Sequence, residues 1–141
     1  IGVYNNKVIV EMACLHIIET FKEFTEHLTQ ITIKSYVPNI PVEGPIHIYK
    51  KKIVENDIMY IIKLEEDDYT YGKLIEKYIY NHYQGLLKFI AFKKEHPHDK
   101  HSLVQIVYIE QNTDSDHKLK QLLMDIFKVI QIDFQHIKLD S

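Results

Sequence analysis

The chain has 141 residues and a formal net charge of -3, with 17 cationic against 20 acidic side chains, and every cation is Lys. Its content of 45% apolar and 26% charged residues is that of one globular domain and excludes a disordered chain. An acidic balance without Arg, the side chain that grips phosphate bidentately, makes it a poor solitary binder of DNA or RNA. The lone cysteine, Cys14, cannot form an internal disulfide and fits a reducing compartment. No apolar run approaches the ~20 residues that cross a bilayer, and the opening IGVYNNKVIV lacks the regions of a signal peptide. A start at Ile rather than Met leads us to expect a processed chain or a piece of a longer one.

The first periodic segment runs from Lys7 to Leu28. Val10, Cys14, Ile17, Phe21, Phe24 and Leu28 fall in steps of three and four, which predicts a helix with one apolar face. Asn5 and Asn6 are candidate N-caps. Ile9, Met12, Ala13, Leu15 and Ile18 widen the apolar surface, so this helix expects burial on more than one side. Residues 29–45 contain Pro38, Pro41, Gly44 and Pro45 and read as a linker, with one short strand expected at Ile31–Ile33.

The period then changes. Ile46–Ile53 and Ile58–Leu64 read as two strands of a hairpin around the turn residues Glu55, Asn56 and Asp57. An acidic run, Glu65 to Asp68, precedes a helix from about Tyr71 to Tyr83, with Asp68 or Thr70 as its cap and Leu74, Tyr78, Ile79 and His82 on one face. Leu86–Phe92 and Leu103–Ile109 are two further strands. Asp114 or Ser115 opens a last helix with the stripe Leu119, Leu122, Leu123, Ile126, Phe127, Ile130, Phe134 and Ile137. The expected fold is α+β in two layers. It is a β-β-α-β-β-α domain with a four-stranded antiparallel sheet and helices on one face, preceded by an amphipathic helix. The stripes are wider than one small sheet covers, which points to a partner surface.

Reactive constellations are few. His96, His98 and His101, with Glu95 and Asp99, form a candidate Zn²⁺ loop, but no Cys or second cluster completes it, and a solvated loop is the plainer reading. Cys14 and His16 are two apart on a helix and point to different faces, so they make no catalytic dyad. Glu65 to Asp68 could bind Mg²⁺, yet consecutive carboxylates diverge, and a solvated turn suits them better. Lys50, Lys51 and Lys52 make a small basic patch. No Gly-rich phosphate loop, GxSxG, CxxC or HExxH occurs. No catalytic, cofactor-binding or metal residue is assigned, and no cofactor is expected.

The stretch Leu64-Glu65-Glu66-Asp67-Asp68-Tyr69-Thr70-Tyr71-Gly72-Lys73-Leu74-Ile75 resembles the E-D-H-T-L-G-N-L-L hallmark of the small alpha-like assembly subunit (archaeal L type) of multisubunit DNA-directed RNA polymerases. Asp68, Thr70, Gly72 and Leu74 match and Asp67 replaces Glu, while Tyr69, Tyr71 and Lys73 depart from the pattern. A second likeness is the aromatic strand Leu87–Phe92 followed by His96-Pro97 and an aliphatic strand. The resemblance spans about 46–137. It implies a small alpha-like dimerisation domain at 46–141, a Pro-rich linker at 29–45, and, at 1–28, a helix similar to the end of the larger alpha-like subunit.

Fusions of these two subunits occur in large DNA viruses, the African swine fever virus group among them, and the arrangement here is similar. The implied role is non-catalytic: an alpha-like dimer platform on which the large catalytic subunits dock. Cys14, Ile17, Phe21, Phe24, Leu28, Leu74, Tyr78, Leu122, Leu123, Ile126, Phe127, Ile130 and Phe134 would line the partner interface. The implied partners are the larger alpha-like subunit and the large catalytic subunits, with DNA and RNA met only through the complex and no membrane. The implied place is intracellular: host cytoplasm and virion for a virus, otherwise the nucleus. An unrelated α+β interaction module and a small metal-dependent enzyme at the His loop are the alternatives.

Overall fold

The computed structural model describes residues 6–36, 44–53, 57–64, 69–94, 102–109 and 115–140. In chain order the elements are helix α1 (Asn6–Leu28), β1 (Lys34–Ser35), β2 (Ile46–Lys52), β3 (Ile58–Leu64), helix α2 (Tyr69–Tyr83), a 3-10 turn (Gln84–Leu86), β4 (Leu87–Lys93), β5 (Ser102–Tyr108) and helix α3 (Ser115–Asp140). The fold is α+β: three helices and one five-stranded mixed sheet in the order β1-β2-β3-β5-β4.

Two sequence expectations are corrected here. The sheet has five strands rather than four and is not wholly antiparallel, because β1 pairs parallel with β2, Lys34 opposite Tyr49 and Ser35 opposite Lys50. The short strand also lies at Lys34–Ser35 rather than at Ile31–Ile33. The reason is local. The Gln30 and Ile31 N–H groups both donate to the His27 carbonyl, which closes α1, and Ile31 and Ile33 pack half-buried on the main core. Only after them is the chain free to lie along β2, where it covers an otherwise open edge. Gly44, with φ of +96°, sits before β2 in the left-handed region that Gly tolerates without strain.

Alternation sorts the strand side chains to two faces. Ile46, Ile48, Tyr60, Ile62, Leu64, Val104, Ile106 and Tyr108 join the cluster that contains the buried residues of all three helices. Tyr49, Ile61 and Leu103 form a second, smaller cluster with Tyr36 and Met59. The helices therefore share one face of the sheet. β4 and β5 lose register between Leu87 and Phe89. Among the described residues no helix is long and apolar enough to cross a membrane.

Candidate partner interface

The residues predicted to meet a partner gather at one helical seam. α1 runs antiparallel to α3: the Lys120 ammonium donates to the Ile31 carbonyl just past one end of α1, while Phe21 and Phe24 meet Phe127 further along. Phe21, Phe24, Tyr71 and Phe127 form a cluster. The Phe127 ring lies 5.4 Å from Phe21 and 5.9 Å from Phe24, and Tyr71 stands edge-on at 5.8 and 6.0 Å from the same two rings. These separations and tilts suit the ring quadrupoles, which favour edge-to-face pairs. The Thr20 hydroxyl donates to the His16 carbonyl oxygen at 2.9 Å and pairs with the Tyr71 hydroxyl of α2 at 3.2 Å.

Phe21, Phe24, Leu28, Leu122, Leu123, Ile126, Phe127 and Ile130 are all buried in this one cluster, with Ile17, Leu74, Tyr78 and Phe134 half-buried against it. Cys14 is buried as well, at the edge of the seam. The α1 stripe thus packs on α3 of its own chain. Tyr78 joins α2 to the far half of α3 by donating to Asp133 at 2.9 Å, and burial together with that carboxylate pushes its phenol up to about 12.

Both helices keep exposed apolar side chains beyond the seam. Val8, Ile9, Val10, Met12 and Leu15 in the first half of α1, and Ile132, Ile137 and Leu139 near the end of α3, are exposed, Met12 by 60% and Leu139 by 71%. The sequence signal for this was the second apolar row on α1, and Ile137 was expected in the stripe but lies outside it.

The polymerase-like turn is described only in part. Asp67, Asp68, His96 and Pro97, and the loop histidines His98 and His101, lie outside the described residues. Thr70 falls within the first turn of α2, which begins at Tyr69, so Thr70 does not cap a helix starting at Tyr71. Gly72 occupies a tight position. A Cβ built there would stand 2.4 and 2.7 Å from two carbons of the Phe92 ring and 3.3 Å from the Ser102 hydroxyl. The absence of a side chain at Gly72 lets α2 sit down on β4 and β5, and Lys73 spreads over the same ring at 5.0 Å.

A buried-edge polar cluster was not foreseen. Tyr60 on β3 donates to Asp116 Oδ1 at 2.6 Å, and Lys50 on β2 pairs with Asp116 Oδ2 at 3.0 Å. Asp116 lies in the first turn of α3, where an anion also suits the helix dipole. Burial pushes its carboxyl up, but the hydrogen bonds from Tyr60 and Lys50 and the charges of Lys50 and Lys120 outweigh that and hold it below the usual carboxylate range. The cluster pins α3 to the sheet. Among the described residues no group of three His, Cys, Asp or Glu is placed to hold a metal.

No model of a known protein family matches the chain, and no curated protein matches it either.

Proposed function

We propose that the chain is a non-catalytic assembly subunit of a DNA-dependent RNA polymerase. In this reading β2 to α3 is the small alpha-like dimerisation domain, a β-β-α-β-β-α unit to which β1 is an addition, and α1 is the closing helix of the larger alpha-like partner. The fusion form makes a virus the favoured source. The observation that carries the reading is the α1–α3 seam: a helix that precedes the Pro-rich segment is seated on the domain by an aromatic cluster, and the paired ends beyond it keep an apolar surface uncovered. The close approach of Phe92 to Gly72 adds support, because it supplies a physical need for Gly at the motif position.

The exposed apolar ends would receive the remainder of the larger alpha-like partner, and the resulting rigid dimer would carry the large catalytic subunits. Catalytic acids and Mg²⁺ belong to those subunits. The test is co-purification of the other polymerase subunits with variants of the exposed ends. Met12→Asp with Leu15→Asp should leave the fold intact yet lose most of the captured subunits, because two unpaired charges would enter an apolar contact. Lys118→Asp should capture them as the unmodified chain does. Full assembly by the Met12→Asp, Leu15→Asp variant would refute the reading.

A further inference from the structure

We draw no further inference here: the strongest candidate, the cavity of about 400 Å³ where Tyr83, Leu86 and Tyr108 meet the start of α3, has Ile109 and Ser115 in its lining with the residues between them outside the described ones, and nothing in the structure shows what would fill it.

Discussion

Gly72 shows how a single position couples two elements. The Cβ of any other residue would enter the Phe92 ring at 2.4 Å, and the ring sits on β4, held between α2 and the sheet. Ala has the better helix propensity by roughly 1 kcal/mol, so local preference and packing oppose each other. Packing should win, since overpacked sites cost about 1–3 kcal/mol and the contact is with the flat of a constrained ring. Gly72→Ala should therefore lower the urea midpoint, and adding Phe92→Leu should recover part of the loss. Lys73→Ala, next door but exposed, should change stability by less than about 0.5 kcal/mol. If Gly72→Ala is neutral, the motif glycine has another reason to be there. The glycine was plain in the sequence, whereas the ring that demands it lies 20 residues away and was not.

At the scale of elements, α1 is divided in two. Its second half is fixed by Phe21, Phe24 and Leu28 in the common core, and its first half keeps Val8, Ile9, Val10 and Met12 exposed. Phe24→Ala should cost about 3–5 kcal/mol, the range for truncating a large aromatic in a close-packed core. Met12→Ala, by the same denaturation measurement, should cost under about 0.5 kcal/mol, because Met12 is 60% exposed. A comparable loss at both positions would mean that the exposed half is as fully packed as the seam. The helical period of α1 was plain in the sequence. Which of its two apolar rows would be covered was not, since that depends on α3 reaching it across the 86 residues that separate the two helices.

For the whole molecule the same polar cluster and tyrosines set a pH window. The Asp116 carboxyl is held below its usual range, so its contribution is complete above about pH 4 and is lost as the pH falls through the lowered value. Burial and the neighbouring Tyr83 push the Tyr108 phenol up to about 12; Tyr78 is raised to about 12 by burial and Asp133, and Tyr60 is raised by burial and Asp116. These phenols stay neutral in the fold while the unfolded chain ionises near pH 10, so their contribution is complete below that pH and is lost as it rises. Urea midpoints should accordingly fall on both the acid and alkaline sides of neutrality. Asp116→Asn should lower the neutral plateau and flatten the acid limb. Tyr108→Phe should soften the alkaline limb with little change at neutral pH, because the buried Tyr108 hydroxyl has no hydrogen-bond partner among the described residues to lose. An unchanged alkaline limb in Tyr108→Phe would count against this account.

Periodicity alone placed the three helices and the four longer strands to within one or two residues at their described ends, apart from α3, which runs three residues past the last stripe residue Ile137, because side-chain alternation and helical spacing are properties of the local chain. Composition predicts one globular domain and weak phosphate binding. The parallel β1, the choice of the α1 face to be buried and the Tyr60–Asp116–Lys50 cluster were decided only by tertiary structure. Each depends on residues distant in sequence arriving at one place. Two-residue β1 has no period to read, and a lysine on a strand looks the same in sequence whether or not a carboxylate 66 positions away will meet it, as Asp116 meets Lys50.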